Sequence, residues 1–335
     1  MEKFWQKIID NKKNLIYFPI LILFWVFSLF YRFGRYLNLK FAGQPDKLKL
    51  PVISVGNLTV GGSGKTPVVI EIARHLIKSE KRVGIVSSGY GRSVRLDYSA
   101  YGRDITGSNN DTNDLDNVGD EIMMMAELLP DAYFSVSQSK TNGARIIESK
   151  KTADIIIVDD GYQHRRLRRD FNILLIDTTH NIFEESLLPL GRLREPISVI
   201  NQADYIIFTK TNLKSNCDDI KRQVEMQFPQ IPISSLQYNN HQIISKKKKI
   251  GIEEVKNSSI YFFAGIGNFD SAIRMLSEKF TNICSFRQFN DHCRYNKSEP
   301  SQIRADIGKF KPDYVITTHK DYVKVINLDL GREIY

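Results

Sequence analysis

The sequence contains few cysteines, since Cys217, Cys284 and Cys293 are the three in a chain of 335 residues. They form no CxxC pair, and no histidine-rich spacing accompanies them. Zinc sites and disulfide frameworks need paired or closely spaced cysteines, so the sequence predicts neither of them. A chain with this cysteine usage is expected in a reducing compartment.

The sequence also lacks an evident internal repeat. Its 42% hydrophobic and 25% charged residues are ordinary for a folded protein, and 335 residues suffice for one large α/β unit or two domains. The formal net charge of +9 favours an anionic partner. Charge alone leaves open an anionic membrane surface, a phosphate-bearing ligand or nucleic acid.

One long apolar run is present, from Leu15 to Tyr31, with lysines before it and arginines after it. No small-residue cleavage site follows the run, which argues against a secretory signal peptide. At 1.5 Å per residue a helix of this length spans about 25 Å, slightly less than a hydrocarbon core of about 30 Å. The run predicts an uncleaved membrane anchor or an embedded interfacial helix. A buried core helix is the alternative.

The stretch Pro51–Pro67, PVISVGNLTVGGSGKTP, is typical of a nucleotide phosphate loop. An apolar strand leads into a glycine-rich turn, and a helical pattern follows directly. Backbone N–H groups of such a turn and the helix start bind phosphates, while Lys65 reaches the β- and γ-phosphates and the Thr66 hydroxyl suits Mg²⁺. The turn itself consists of Gly61, Gly62, Ser63 and Gly64. The usual motif has glycine where this chain has Thr59, and a flexible turn with a surface lysine is the alternative.

A second polar cluster follows the β-branched run Ile155–Val158, which predicts a strand buried on both faces. Asp159 and Asp160 come directly after it, where carboxylates can hold Mg²⁺ beside bound phosphates. The basic run that follows is either a solvated face or a contact for phosphate or a lipid head group. That run consists of Arg165, Arg166, Arg168 and Arg169.

Repeated strand–helix units predict an α/β fold with a P-loop NTPase-like, doubly wound and mostly parallel sheet, plus a smaller C-terminal α/β lobe. The residues between Asp97 and Asn117 are polar and glycine-containing, and predict an exposed loop. The predicted division is an N-terminal membrane anchor in residues 1–36, a P-loop nucleotide-binding core in 37–228, a linker in 229–250 and a C-terminal lobe in 251–335.

Two further polar groups stand out. Asp120 and Glu121 open a helical pattern, where acidic residues either favour the helix start through its dipole or serve a site. His292 follows Asp291 in a polar stretch, a better position for a functional histidine than an apolar surface.

These motifs, taken in order, resemble the tetraacyldisaccharide 4′-kinases (LpxK) of lipid A biosynthesis. Each motif alone is weak, but the ordered set is specific and runs almost to the C-terminus. The motifs are VGNLTVGGSGKTP at 55–67, GYG at 89–91, VGDE at 118–121, DDGYQH at 159–164, LREP at 193–196, DH at 291–292 and KD at 320–321.

The resemblance implies transfer of the γ-phosphoryl group of ATP, with Mg²⁺, to the 4′-hydroxyl of a tetraacyldisaccharide 1-phosphate. It implies Lys65 and Asp120 as catalytic residues, with His292 as the partner of Asp120 across two lobes. It assigns Glu121 and Tyr90 to the nucleotide. The metal side would consist of Thr66, Asp159 and Asp160, and the candidate substrate contacts are Gln163, His164, Arg194 and Glu195.

The expected partners are this glycolipid and the membrane surface, without nucleic acid or a protein partner. The expected location is the cytoplasmic face of the bacterial inner membrane, because the reaction consumes ATP. The chain departs from the family in Ser88, where arginine is common, and in His319, where an acidic residue is common.

Two alternatives belong to other functional classes. A membrane-associated GTPase or ATPase switch should carry Asn-Lys-x-Asp to bind guanine, whereas this chain has Thr-Lys-Thr-Asn at 209–212. A scaffold that binds nucleotide without catalysis would not depend on Asp120 or His292.

Overall fold

The computed structural model describes residues 2–12, 14–41, 43–89, 92–107, 112–212, 217–237, 242–267 and 269–335. The chain forms two compact units. The first unit comprises Met1–Ser88 and Asp131–Tyr238, and the second comprises Gly89–Pro130 and Asn239–Tyr335. This grouping differs from the four predicted segments, because residues 89–130 pack with the C-terminal part of the chain.

Short strands account for the sheets of both units. They are β1 (Val52–Asn57), β2 (Val83–Ser87), β3 (Tyr98–Tyr101), β4 (Tyr133–Val136), β5 (Ile155–Asp159), β6 (Phe171–Asp177), β7 (Tyr205–Thr209), β8 (Ile233–Ser235), β9 (Gln242–Ile244), β10 (Lys249–Gly251), β11 (Ile260–Ala264), β12 (Ile283–Gln288) and β13 (Tyr314–Thr317).

Helices connect most of these strands. They are α1 (Glu2–Asp10), α2 (Phe18–Lys40), α3 (Lys65–Lys78), α4 (Gly102–Gly107), α5 (Thr112–Val118), α6 (Asp120–Leu128), α7 (Lys140–Lys150), α8 (Cys217–Gln227), α9 (Ile252–Val255), α10 (Phe269–Ser277), α11 (Glu299–Phe310) and α12 (His319–Val325).

The sheet of the first unit has the strand order β4-β2-β5-β1-β6-β7-β8. Every neighbouring pair in this order is parallel, and Val55 of β1 lies opposite Asp159 of β5. Carboxyl ends of parallel strands meet at one edge of a sheet, so the loop after β1 and the carboxylates after β5 share that edge. The predicted mostly parallel α/β sheet is confirmed.

The central strands of this sheet are buried on both faces, as their β-branched runs predict. β2 is buried throughout, and β5 is buried after its first residue. Helix α3 buries Val68, Val69, Ile70 and Ala73. Burying one Val or Ile side chain contributes about 1.5–3 kcal/mol, so this packing fixes α3, and the loop before it, at the carboxyl edge of β1.

The second unit has its own small parallel sheet, in the order β12-β11-β13, while β9 and β10 form an antiparallel pair. Its aromatic core includes Tyr261, Phe263 and Tyr295, all fully buried. Helix α6 packs against both α4 and α12.

The prediction of an exposed loop between Asp97 and Asn117 is wrong for the described part of that range, because β3, α4 and α5 lie there, while residues 108–111 lie outside the described residues. Gly102 and Ile105 of α4 are buried. A Cβ atom at Gly102 would lie 2.4 Å from the Leu129 carbonyl oxygen. Glycine is therefore needed at position 102 for close packing. The polar composition of the segment did not indicate that it contains a packed helix.

The apolar run forms the helix α2, which extends beyond Tyr31 to Lys40. The segment Leu15–Lys40 is long and apolar enough to cross a membrane by length and composition: an 18-residue window within it has a mean hydropathy of 1.9, and 6% of that window is buried. A core helix would be mostly buried, so that alternative is wrong for this segment. Its exposed side chains include Phe18, Trp25, Phe30 and Phe33.

Two hydrogen bonds tie the N-terminal helices to the first unit. The Trp5 indole N–H donates to the Pro189 carbonyl at 2.8 Å, and the Tyr31 hydroxyl donates to the Arg194 carbonyl at 2.9 Å. Ile8 and Ile9 of α1 are buried. The apolar helix is thus fixed at the loop that carries Arg194 and Glu195.

Candidate active site

The glycine-rich loop after β1 has the backbone that a phosphate loop requires. Gly61 has a φ of 108° and Gly64 a φ of 78°, both in the left-handed region that favours glycine. Gly64 is the residue before α3, and no side chain of the described residues caps that helix start. The first N–H groups of α3 therefore remain available to an anion, as at other helix N-termini.

Side chains from two neighbouring strand ends hold this loop in place. The Thr209 hydroxyl donates to the Ser63 carbonyl at 2.9 Å. The Lys210 ammonium donates to the Gly62 carbonyl and, at 2.6 Å, to Asp177 Oδ2. Lys210 lies in the segment Thr-Lys-Thr-Asn, which does not match a guanine-binding motif, and no sequence pattern indicated this structural role.

Lys65 lies in a cluster of charged and amide groups at the carboxyl edge of the sheet. Its ammonium is 3.2 Å from Asn57 Oδ1 and 3.5 Å from Asp160 Oδ1. Arg194 binds both oxygens of Asp160, at 2.8 and 2.9 Å, and also donates to Asn57 Oδ1. The Gln163 amide donates to the Asn57 carbonyl at 2.6 Å. The structure thus brings together Lys65, Asp160, Arg194 and Gln163.

Asp160 is ionised in this cluster. Burial alone would raise its pKa, but the hydrogen bonds from Arg194 and the charge of Lys65 together lower the pKa far below its usual value. Two fixed cations and one carboxylate therefore face the phosphate loop, where they can bind and neutralise a polyphosphate.

Asp159 has a different environment from Asp160, although the two are adjacent. It is 4% exposed, and the Ser87 hydroxyl donates to its Oδ2 at 3.2 Å. Burial raises the pKa of Asp159 despite the nearby charge of Lys140. Its Oδ1 is buried and accepts no hydrogen bond from any described residue.

Lys140, the first residue of α7, is a site residue that sequence reasoning missed. Its buried ammonium donates to the Asp159 carbonyl and, at 2.7 Å, to the Asp160 carbonyl. Burial lowers the pKa of Lys140, and the two carboxylates oppose that shift. Lys140 therefore fixes the backbone that presents both carboxylates. A lysine at a helix start after a buried strand was the available signal.

The residues present fit a magnesium ion. The described residues contain no group of three or more His, Cys, Asp or Glu that could hold a metal, and Mg²⁺ in nucleotide sites needs few protein ligands besides water and phosphate oxygens. The unpartnered Oδ1 of Asp159 is a suitable donor, and Thr66 is half-buried in the first turn of α3. Asp160 suits the ion less, because Arg194 binds both its oxygens.

His164 and Glu195 lie beside this cluster. The His164 ring Nε2 is 3.1 Å from the Thr141 hydroxyl, and burial lowers the pKa of His164 to about 4, with Lys140, Arg169 and Arg166 adding to the shift. Glu195 is buried and forms ion pairs with Arg35 and, at 3.4 Å, with Arg165.

The depressed pKa of His164 predicts a pH dependence of stability. Between about pH 4 and pH 6.5 the unfolded chain binds the proton that folded His164 refuses, so the folded state gains stability as pH rises and holds it fully above about pH 6.5. Wild-type free energy of unfolding, from urea titrations, should fall between about pH 7 and pH 5, and His164→Gln should remove part of that fall. His75→Gln, at an exposed position of α3, is the control. Equal pH slopes in wild type and His164→Gln would contradict this assignment.

The second unit contains an Asp–His pair. Asp120 is the first residue of α6, directly after Gly119, whose φ is 83°, and its side chain is 5% exposed. The His292 ring Nδ1 is 2.9 Å from Asp120 Oδ2. Both residues belong to the second unit, so the expectation that this pair bridges two lobes is wrong. Residues 89–130 pack with the C-terminal sheet, which sequence order alone conceals.

Two lysines of α12 also face Asp120. Lys324 Nζ is 3.4 Å from Asp120 Oδ2 and 3.0 Å from Asp321 Oδ1, and Lys320 Nζ is 3.7 Å from Asp120 Oδ2. Burial alone would raise the pKa of Asp120, but the His292 hydrogen bond and both lysines lower it below its usual value. Lys320 belongs to the KD motif at 320–321, whereas no sequence motif indicates Lys324.

The remaining predicted positions are placed as follows. Glu121 is half-buried in the first turn of α6. Tyr90 lies outside the described residues. His319, where the family commonly has an acidic residue, places its ring Nε2 2.9 Å from Glu127 Oε2 within the second unit.

Known proteins are similar to this chain over most of its length. The family model described as LpxK, tetraacyldisaccharide-1-P 4′-kinase, matches residues 17–334. The tetraacyldisaccharide 4′-kinase of Halothermothrix orenii is 30% identical over 339 residues, which cover 96% of this chain and 86% of that protein. That of Bdellovibrio bacteriovorus is 32% identical over 291 residues, covering 84% of this chain and 81% of that protein.

A solved structure agrees with the sequence comparison. The crystal structure of LpxK from Aquifex aeolicus in complex with ATP matches this fold with a TM-score of 0.72 at 28% identity, covering 96% of this chain and 92% of that one. A match over residues 17–334 includes the phosphate loop, both carboxylates after β5 and the Asp–His pair. The chain therefore belongs to the tetraacyldisaccharide-1-P 4′-kinase family.

Proposed function

We propose that this chain transfers the γ-phosphoryl group of ATP to the 4′-hydroxyl of a tetraacyldisaccharide 1-phosphate, a step of lipid A biosynthesis. The observation that carries this proposal is the family match over residues 17–334. The phosphate loop supports the donor side of the reaction, and the Asp120–His292 pair supports the acceptor side.

On the donor side, the backbone N–H groups of residues 61–64 and the start of α3 bind the phosphates of ATP. Lys65 exchanges its contact with Asp160 for the β- and γ-phosphates, while Arg194 keeps Asp160 in place. Thr66 and Asp159 are the residues that would hold Mg²⁺, whereas both oxygens of Asp160 are bound by Arg194. When bound, this ion neutralises charge on the phosphate oxygens.

On the acceptor side, Asp120 accepts the proton of the sugar hydroxyl. Its Oδ2 is held by His292 and faces Lys324, whereas its buried Oδ1 accepts no hydrogen bond from any described residue. The Oδ1 atom is therefore the proton acceptor. Phosphoryl transfer passes through a loose transition state, so a base of low pKa suffices when the hydroxyl proton leaves late.

The helix α2 fits a membrane anchor that brings the enzyme to its lipid acceptor. Its apolar side chains, such as Trp25 and Phe30, are exposed along the segment Leu15–Lys40. Such a surface in a chain of net charge +9 favours an anionic bilayer. Because the donor is ATP, we place the enzyme on the cytoplasmic face of the inner membrane.

A transfer assay tests this function. The purified full chain, with ATP labelled on the γ-phosphate, Mg²⁺ and the tetraacyldisaccharide 1-phosphate in vesicles, should produce labelled lipid. An acceptor already phosphorylated on the 4′-hydroxyl is the control, and it should remain unlabelled. Release of inorganic phosphate without labelled lipid would instead support the ATPase alternative and contradict the kinase.

The same vesicles report on the anchor. The wild-type chain should sediment with them, and replacing Trp25 and Phe30 by serine should reduce both the sedimenting fraction and the rate of lipid labelling. Substitution of Met226, an exposed apolar residue of α8, by serine is the control. Unchanged sedimentation of the double variant would contradict a role for α2 in membrane binding.

A further inference from the structure

The ring of His292 has a polar partner on each of its two nitrogens. Its Nδ1 is 2.9 Å from Asp120 Oδ2, and its Nε2 is 3.3 Å from the ammonium nitrogen of Lys320, in the first turn of α12. All three residues belong to the second unit. The reaction outlined above uses Asp120 and its partner His292 but gives Lys320 no role.

The chemistry of the two partners determines where the ring proton lies. An ammonium group has donors only, so His292 Nε2 accepts the hydrogen bond from Lys320 and carries no proton itself. Asp120 is ionised and has acceptors only, so His292 Nδ1 carries a proton and donates it to Oδ2. The two contacts together select a neutral imidazole ring with its proton on Nδ1.

The charges around the ring explain why Lys320 is needed. Two carboxylates face His292, namely Asp120 at Nδ1 and Asp291, whose Oδ2 is 3.9 Å from Nε2. By themselves they favour a doubly protonated, cationic ring. The Lys320 ammonium lies closer to Nε2 than Asp291 does, so a proton on Nε2 would bring two positive charges into contact. Lys324 faces Asp120 Oδ2 at 3.4 Å and completes the set of charges.

The backbone holds the ring and the lysine together. His292 has a φ of 58°, in the left-handed region that residues other than glycine seldom adopt. Its N–H donates to the Gly265 carbonyl at 3.2 Å, and the Gly265 N–H donates to Asp321 Oδ2 at 3.0 Å. Asp321 is fully buried and follows Lys320 directly in α12. Gly265 therefore connects the backbone of His292 to the helix that carries Lys320.

We propose that Lys320 is a positioning residue that keeps His292 neutral with its proton on Nδ1, and thereby makes Asp120 the proton acceptor of the pair. The proposal rests on the kinase function proposed above and deepens it. The sugar oxygen forms its bond to the γ-phosphorus as the bond to ADP breaks, and the hydroxyl proton passes to Asp120 Oδ1. Because His292 Nδ1 already carries a proton, it cannot take this one, which stays on Asp120 until it is released to water.

The state of the ring can be measured without ATP or lipid. The full chain, with ¹⁵N in its histidine rings, is observed by NMR in neutral detergent micelles, and His292→Asn identifies the His292 signals. The wild type at neutral pH should show a protonated Nδ1 and an unprotonated Nε2. In Lys320→Met both nitrogens should be protonated in most molecules, because the two carboxylates remain. Lys320→Arg should restore much of the neutral ring, since a guanidinium is also a cationic donor.

Kinetics with the lipid acceptor test the consequence for the reaction. Lys320→Met should lower kcat about tenfold, at the lower end of the losses seen when a group that orients a functional residue is removed. The physical reason is that a cationic His292 ring weakens Asp120 as a base. The KM values for ATP and lipid should stay near wild type. In a His292→Asn background, Lys320→Met should cause no further loss, because the lysine acts through the ring.

Lys309→Met is the control, since Lys309 is an exposed lysine in the last turn of α11 in the same unit. It should leave both the His292 signals and kcat at the wild-type level. Thermal unfolding of each variant shows whether a change in kcat reflects misfolding. If Lys320→Met does not fold, the wild-type spectrum and the Lys320→Arg variant still test the proposal.

Three results would overturn the proposal. They are a protonated Nε2 in the wild type, an unchanged ring state in Lys320→Met, and additive losses of kcat in the Lys320→Met/His292→Asn double variant. Each of them leaves the kinase function in place as long as the wild type labels the lipid. Failure of the wild type to label the lipid would contradict the kinase function, whereas the ring state measured without substrates would stand.

Discussion

Asp120→Asn should lower kcat for lipid phosphorylation by about 10²–10⁴-fold, the range that a general base contributes. Asparagine has nearly the same shape and can keep a hydrogen bond to His292, but it cannot accept the proton of the sugar hydroxyl. The KM for ATP should stay near wild type, because the phosphate loop belongs to the other unit. Steady-state kinetics with the lipid acceptor measure both constants.

The matched control is Asp270→Asn. Asp270 also lies in the first turn of a helix of the second unit, α10, and it is exposed. Its substitution removes the same helix-dipole interaction without touching the Asp–His pair, so activity should be unchanged. Comparable rates in Asp120→Asn and Asp270→Asn would show that Asp120 is merely a favourable first-turn residue, the structural alternative that the sequence left open.

A double variant of Asp120 and His292 tests whether the two side chains act together. His292 holds Oδ2 of Asp120 and thereby orients the carboxylate. Groups that act as one unit are non-additive, so the double variant Asp120→Asn/His292→Asn should be little slower than Asp120→Asn alone. Fully additive losses would mean that the two side chains act independently.

Local sequence patterns were sufficient to locate the residues that we propose for the donor side of the site. A strand, a glycine-rich turn and a helix follow one another within Pro51–Pro67, and the physics of each is set by adjacent residues. The left-handed φ values of Gly61 and Gly64 agree with that pattern. The position of Asp159 could also be predicted from the sequence, because an unbroken β-branched run that ends in carboxylates indicates the carboxyl edge of a parallel sheet.

The contacts that hold the acidic residues of the site in place could not be predicted from local sequence patterns. Lys140 binds the carbonyls of Asp159 and Asp160 from a helix start about twenty positions earlier in the chain. Lys324 contacts Asp120, although the two residues are 204 positions apart in the sequence. A lysine has the same appearance in the sequence whether it is solvated or buried against carboxylates, and only the fold distinguishes the two.

The grouping of residues 89–130 with the C-terminal part of the chain was hidden for a related reason. A continuous core from 37 to 228 is the simpler expectation, because sequential elements usually pack together. Helix α6 instead packs against α12, and this contact brings Asp120 to His292 within one unit. The pair was predicted from motif resemblance, whereas its placement depends on long-range packing.

Lys65→Met should lower kcat/KM for ATP by about 10²–10³-fold, comparable to the loss of one preorganised charge-stabilising donor. The Lys65 ammonium lies 3.2 Å from Asn57 Oδ1 and 3.5 Å from Asp160 Oδ1, at the carboxyl edge of the sheet. Methionine retains most of the side-chain volume and removes the charge. The lipid acceptor should still bind, so its KM should change little.

The control is Lys78→Met, an exposed lysine in the last turn of the same helix α3, which should not alter the kinetics. Arg194 binds both oxygens of Asp160, so this carboxylate should keep its position and stay ionised in Lys65→Met. The loss of kcat/KM is therefore assigned to a lost contact with the phosphates and not to a displaced Asp160.

Lys65→Arg should restore little activity, because a planar guanidinium would compete with Arg194 for Asp160 instead of presenting a compact charge to the phosphates. Near wild-type activity in Lys65→Met would contradict the phosphate-binding role of Lys65, because the substitution removes the charge of this side chain.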